Sequence, residues 1–324
     1  MAWWTRSRPA LRFHAFDIGS RTVKLLTVCS RADWVLIEAM AVGELPPGVM
    51  QGHLVRERDV VAATIRRLVR HVGGRRLPVV TALPGPGVMI RRVDVRGLPG
   101  EPLAAAVVRA ATAIVPDAAE RAVIDFQALG PTRPDGSQEV LLVAARRELV
   151  QSFTGAVRAA GLEPRRLDVE PFALDRMYRL GEEHGSDPVA LVHLGARYSS
   201  ISVLRGEATA FVGDVPGVCS GGDVGSVADE VRRALGLFWH GPAVPLGGAV
   251  LSGGGCSHPG IAAALESRLD CPVSVAEPFR RLEVGPRVDR VQLERLGPAL
   301  AVTAGLALRP LARFTPSSTP SSTL

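Results

Sequence analysis

The sequence contains no asparagine, and only one of its 38 basic residues, Lys24, is a lysine. Aromatic residues make up 5% of the chain, and no more than two basic residues ever stand side by side. Nucleic-acid surfaces usually concentrate basic residues, with aromatic side chains between them. The net charge of +6 is therefore expected to be spread over the surface, and nucleic-acid binding is not indicated.

Two further absences argue against a metal site built on cysteines and against a membrane-spanning or exported protein. The four cysteines form no CxxC pair and have no metal-ligand spacing. No run of about 18 apolar residues could span a membrane, and the first residues lack the apolar core of a signal peptide. The 324 residues suffice for two domains. We expect a cytoplasmic α/β protein with an N-terminal extension (1–12) and a disordered Ser/Thr/Pro tail (310–324).

The main organising feature is a hairpin that occurs once in each half. F-D-I-G-S-R (16–21) ends one apolar strand and begins a turn into a second, and V-H-L-G-A-R (192–197) repeats this pattern. A short strand at 249–251 then runs into Ser-Gly-Gly-Gly (252–255) and a predicted helix beginning near residue 259. The repeat predicts two similar halves.

The stretch between the hairpins has a different order of predicted strands and helices, and residues 75–160 are expected to form a compact α+β unit. Strands are predicted at 34–41, 78–83, 88–95, 123–129, 139–144, 165–170 and 273–275. Helices are predicted at 59–72, 101–115, 148–160, 224–239 and 291–308, with another beginning near Pro171.

Both hairpins carry the chemistry expected of phosphate binding. Glycine lets backbone N–H groups approach phosphate oxygens, and Ser and Thr hydroxyls add donors. Asp17 at the strand end could hold Mg²⁺ through water, and Lys24 could neutralise a phosphate or be an ordinary surface lysine. One such hairpin is weak evidence, but two with a triple glycine before a helix are more specific.

These residues together resemble the actin-like ATPase superfamily and, within it, the PilM family of type IV pilus assembly proteins. The stretches that carry the resemblance lie within 13–309: FDIGSRTVKLLTV (16–28), ALPGPGVMIRRVDV (82–95), VIDFQALG (123–130), VLLVAARRELV (140–150), GLEPRRLDVEPFAL (161–174), VLSGGG (250–255) and GIAAALESRLDCPV (260–273). The resemblance implies an actin-like ATPase fold: two ribonuclease-H-like domains with an inserted α+β subdomain 1C. The implied bounds are 13–74 and 162–188 for subdomain 1A, 75–161 for 1C and 189–309 for domain 2, with a reduced subdomain 2B.

The resemblance also implies ATP and Mg²⁺ as cofactors. The positions implied for cofactor binding are Asp17 (also the Mg²⁺ residue, through water), Gly19, Ser20, Arg21, Thr22, Lys24, Gly195, Arg197, Ser199, Gly253, Gly254 and Gly255. Glu170 lies where the superfamily often places a water-positioning catalytic residue, although a helix-start carboxylate before Pro171 is an equally good interpretation. His193 stands where the second loop normally has an acidic residue. This departure argues against hydrolysis, and the shortened 2B against tight nucleotide binding.

The implied function is that of a cytoplasmic scaffold in a pilus or related secretion platform. Such a scaffold binds the cytoplasmic N-terminal tail of a single-span inner-membrane protein and connects it to pilus motor ATPases; self-association is a further expectation. An active ATPase or phosphotransferase of the same superfold is the alternative, disfavoured by His193. An FtsA-like division protein ranks lower, because the TPSSTPSSTL tail cannot form an amphipathic membrane helix.

Overall fold

The structure, a computed structural model, describes residues 10–31, 34–98, 100–114, 121–181, 187–206, 208–215, 223–237 and 245–309. The predicted tail and most of the predicted N-terminal extension lie outside these ranges. Within them, no helix is long and apolar enough to cross a membrane.

The first lobe is built on a six-stranded sheet in the order β10-β6-β1-β2-β3-β16. Its strands are β1 (Leu11–Ile18), β2 (Thr22–Arg31), β3 (Trp34–Glu44), β6 (Val79–Leu83), β10 (Pro164–Val169) and β16 (Glu283–Val284). β1, β2 and β3 form an antiparallel meander, and β6 and β10 continue the sheet in parallel. A small hairpin of β4 (Met50–Gln51) and β5 (Leu54–Val55) follows β3.

The second lobe repeats this topology, with a five-stranded sheet in the order β13-β12-β11-β14-β15. Its strands are β11 (Val189–Leu194), β12 (Ser199–Arg205), β13 (Ala208–Val215), β14 (Gly248–Ser252) and β15 (Val273–Val275). Three antiparallel strands are again extended by two parallel ones, so the repeat seen in the sequence corresponds to a repeated sheet. Helices α5 (Val224–Gly236) and α6 (Ile261–Leu269) pack on this sheet through their apolar residues.

Helices cover both faces of the first sheet. On one face lie α1 (Arg58–His71) and α3 (Arg147–Ala159). The other face packs on α4 (Glu170–Gly181) and α8 (Ala301–Ala307), in a core that also contains side chains of the second sheet. α4 and α8 thus connect the two lobes through buried apolar contacts.

A separate three-stranded unit lies between β6 and α3. It consists of β7 (Val88–Arg96), β8 (Ala122–Ala128) and β9 (Ser137–Arg146), in the order β7-β9-β8, with α2 (Leu103–Ile114) on one face. The predicted insert, 75–161, is therefore too wide. Val79–Leu83 is a fully buried strand of the first sheet, and Arg147–Ala159 packs in the first core, because parallel strands need cover on both faces.

The predicted last helix, 291–308, is broken. α7 (Arg290–Leu296) is followed by a 3₁₀ turn at Gly297–Leu300 and then by α8. Pro298 explains the break, because proline has no N–H and its ring clashes inside a helix. α8 and β16 both contact the first lobe, although they lie in the range predicted for domain 2. Much of the predicted reduced 2B falls in 216–222 and 238–244, outside the described residues.

Candidate functional site: a cleft between the two lobes

The first hairpin places an ion pair beside its turn. Asp17 and Lys24 are register partners on β1 and β2, and Lys24 Nζ lies 2.7 Å from Asp17 Oδ2. Both side chains are mostly buried, at 13% and 15% exposure for Lys24 and Asp17. The turn is closed by the Gly19 N–H, which donates to the Thr22 carbonyl at 3.0 Å. The single lysine of the chain is thus fixed at the base of the predicted phosphate hairpin.

The second hairpin carries a row of polar residues across the sheet. Ser252, His193, Ser200 and Asp214 are register partners on β14, β11, β12 and β13. His193 Nδ1 and Ser252 Oγ are 2.9 Å apart, and both side chains are buried. Ser200 Oγ donates a 2.5 Å hydrogen bond to Oε1 of Glu170, the first residue of α4. This bond joins the two lobes.

The triple glycine owes its composition partly to packing. Gly253 has a φ of 92°, and a Cβ on it would overlap the Leu194 carbonyl. A Cβ on Gly255 would lie 2.7 Å from Leu194 Cβ. The segment enters a 3₁₀ turn at Gly254–Ser257, and α6 begins only at Ile261. The glycines therefore lead into a 3₁₀ turn, and the helix predicted to begin near residue 259 begins at Ile261.

These three segments face one cavity of about 370 Å³, within the usual size range of ligand sites. Of the predicted site residues, its wall contains Asp17, Gly19, Ser20, Arg21, Thr22, Lys24, Glu170, Gly195, Gly254 and Gly255. The three others, Arg197, Ser199 and Gly253, are outside the set of lining residues. Ser199 is buried, and the Gly253 N–H donates to the Pro298 carbonyl. His193 also lines the cavity.

Four residues near this wall were not among the predicted site residues: His53, Tyr198, Ser200 and Asp214. His53 and Tyr198 line the cavity, and their ring centroids are 4.2 Å apart. Burial raises the pKa of Asp214 above its ordinary value, and the nearby Glu170 carboxylate adds to this rise. Asp214 lies on β13 and His53 lies in the hairpin of β4 and β5, and neither element was predicted from the sequence. Of these four residues, only Ser200 had a signal in the sequence, which is the run of hydroxyl side chains in β12.

The residues of the cleft fit a magnesium nucleotide. Across the described ranges, no three His, Cys, Asp or Glu side chains are grouped to cage a metal ion. Mg²⁺ is commonly bound through one or two carboxylates, waters and phosphates, a mode for which Asp17 alone suffices. Two glycine turns, hydroxyls and Lys24 line the same cavity and provide donors for phosphate oxygens.

The repeated sheet, with a hairpin from each lobe facing a shared cleft, defines an actin-like ATPase fold. Solved structures share it. Ethanolamine utilization protein EutJ from Carboxydothermus hydrogenoformans aligns with a TM-score of 0.50 at 16% identity, over 93% of this chain and 89% of that one. A protein of actin-like ATPase fold from Bacteroides thetaiotaomicron aligns with a TM-score of 0.52 at 7% identity, over 95% and 100%.

A stronger match defines the family. A chain of a PilM-PilN type IV pilus biogenesis complex aligns with a TM-score of 0.78 and 29% identity, over 93% of this chain and 99% of that one. The family model for type IV pilus assembly protein PilM matches residues 15–216 and 224–311. The chain belongs to this family.

Proposed function

We propose that this protein is a scaffold of a type IV pilus or related secretion platform that docks the cytoplasmic tail of a single-span inner-membrane protein. The observation that carries the proposal is the nearly full-length structural similarity to a chain of a PilM-PilN complex. In our account the three-stranded unit of β7, β8 and β9 lies beside the tail-binding groove. The scaffold then connects this partner to pilus motor ATPases.

An extended tail could bind by adding a strand to an exposed sheet edge, with pockets for alternate side chains. β7 and β8 are the two edges of the three-stranded sheet in the described residues. A pull-down with the tail of the membrane protein encoded by an adjacent gene tests this proposal. We expect capture by the tail and none by a scrambled tail; equal recovery on both would reject docking.

We further propose that the cleft binds ATP with Mg²⁺. Asp17 would hold Mg²⁺ through water, the turns at 19–22 and 195–198 would bind phosphates, and Gly254 and Gly255 would face the nucleoside. Bound Mg²⁺ would neutralise phosphate charge. Within the chain itself, the Ser200 hydrogen bond orients Glu170 at the cavity wall.

Nucleotide titrations with and without Mg²⁺ test this second proposal. We expect Mg²⁺-dependent micromolar binding that Asp17→Ala abolishes, with little turnover because His193 occupies the acidic position. Absence of binding in both conditions would reject the nucleotide site. Steady ATP turnover lost in Asp17→Ala would instead establish the alternative function, an active ATPase.

Lys24→Arg should weaken nucleotide binding by about tenfold, since a planar guanidinium is not equivalent to a compact ammonium at a confined site. Lys24 is only 13% exposed and pairs directly with Asp17. The larger guanidinium group of an arginine therefore cannot occupy the same space without moving itself or Asp17. Calorimetric titration of both proteins measures the effect. Arg66→Lys, an exchange at an exposed residue of α1 that does not line the cavity, is the control. Unchanged affinity in Lys24→Arg would mean that the single lysine has no role in the cleft.

A further inference from the structure

A ring contact joins the two lobes at the wall of the cleft. His53 comes from the β4–β5 hairpin of the first lobe, and Tyr198 from the turn between β11 and β12 of the second. Their ring centroids are 4.2 Å apart, with the ring planes tilted by 49°. Both residues line the cavity, so the contact spans the space into which the phosphate hairpins open.

Each ring is held by its own lobe. Leu54 and Val55, next to His53, are buried in the first core, and the Val55 N–H donates to Ser152 Oγ on α3 at 3.4 Å. On the other side, Gly195 packs so closely on the Tyr198 carbonyl that a Cβ there would overlap it. Each ring is therefore carried by a fixed segment of its own lobe. The contact between the rings depends on the distance between the lobes.

The tilted contact with Tyr198, rather than a hydrogen bond at Nδ1, holds the histidine ring. Burial lowers the pKa of His53 below its ordinary value, and Arg146 adds to this fall while Asp214 and Glu170 oppose it. The His53 Nδ1 atom is buried and has no hydrogen-bond partner among the described residues.

We propose that His53 and Tyr198 form a latch that holds the lobes together and must open for a nucleotide to enter or leave the cleft. This role rests on the proposed nucleotide function. The Glu170–Ser200 hydrogen bond is a second tie between the lobes. The latch differs because the contact between its two rings is not a hydrogen bond, so their separation breaks none.

Hydrogen exchange of the ligand-free protein tests the latch without any nucleotide. In His53→Ala and Tyr198→Ala, we expect amide exchange at 50–55 and 195–200 to rise about fivefold, the scale of one lost aromatic pair. His53→Phe keeps an aromatic ring at this contact and should exchange like the natural protein, as should the control His258→Ala, an exposed histidine outside the cleft. Unchanged α8 exchange would show that the fold is intact. Equal exchange in all five proteins would overturn the latch.

Stopped-flow binding of a fluorescent ATP analogue tests the gating role. His53→Ala, which lies outside both proposed phosphate turns, should associate and dissociate about fivefold faster, with a small change in affinity, because an opened latch speeds both directions. Unchanged rates despite faster exchange would overturn gating. If no protein binds the analogue, the proposed nucleotide site fails, while the exchange result still decides whether the rings hold the lobes together.

Discussion

Gly305→Ala is expected to destabilise the protein by about 3 kcal/mol, a large fraction of the stability of a typical folded protein. Gly305 lies in α8, whose seven residues are all buried. A Cβ at this position would overlap the carbonyl of Ala173 on α4, and backbone atoms cannot move aside as a flexible side chain can. Separating the helices would also weaken the 3.2 Å hydrogen bond from Arg176 Nε to the Gly305 carbonyl.

The matched control is Gly236→Ala, at the last residue of α5. Among the described residues beyond its chain neighbours and its own helix backbone, no atom lies within 4 Å of a Cβ built there, and its φ is not positive. Alanine should therefore be neutral or stabilise the helix by up to about 1 kcal/mol. Urea unfolding of both variants measures the difference. Similar stabilities would mean that α4 and α8 are not in such close contact.

Asp168→Ala should cost about 3–5 kcal/mol, because it leaves two partly buried guanidinium groups without their shared carboxylate. The Asp168 side chain is 1% exposed. It pairs with Arg176 and, at 2.6 Å, with Arg309, and it also accepts the Val169 N–H at 2.8 Å. Burial lowers the pKa of Arg176, while the Asp168 carboxylate opposes that fall, so removing the carboxylate takes away the main group that offsets the burial of the guanidinium.

Asp229→Ala is the control for this second prediction. Asp229 forms a 2.7 Å pair with Arg268, but the two side chains are 52% and 41% exposed. Solvent screening reduces such a pair to less than about 1 kcal/mol. Thermal unfolding should show a clear fall in midpoint for Asp168→Ala and almost none for Asp229→Ala. Equal shifts would show that the network around Asp168 does not hold β10, α4 and Arg309 together.

The repeated sheet could be predicted from the sequence because its two hairpins share the same pattern of apolar strands and glycine turns. β13 was missed because Gly213 and Asp214 lower strand propensity, and its pairing with β12 overrides that preference. The edge of the insert was misplaced because β6 is local in sequence to β7 but pairs with β1 and β10. Such long-range pairing leaves no local signal.

The candidate site was predicted only in part, because some of its residues lie in local sequence patterns and others are brought together by long-range contacts. Asp17, Lys24 and Gly195 lie on elements with clear local patterns, and the structure brings them to one cavity. His53 and Tyr198 meet only through the arrangement of two distant turns, which no spacing in the sequence reveals. Gly253 looked like a ligand contact, but close packing on Leu194 accounts for it.

The most direct test of the scaffold function is a calorimetric titration of the full chain with a synthetic peptide of the partner's cytoplasmic tail. A scrambled peptide of the same composition is the control. The account predicts saturable one-to-one binding of the natural tail in the micromolar range and no heat from the scrambled one. No binding of the natural tail at high micromolar concentration would contradict it.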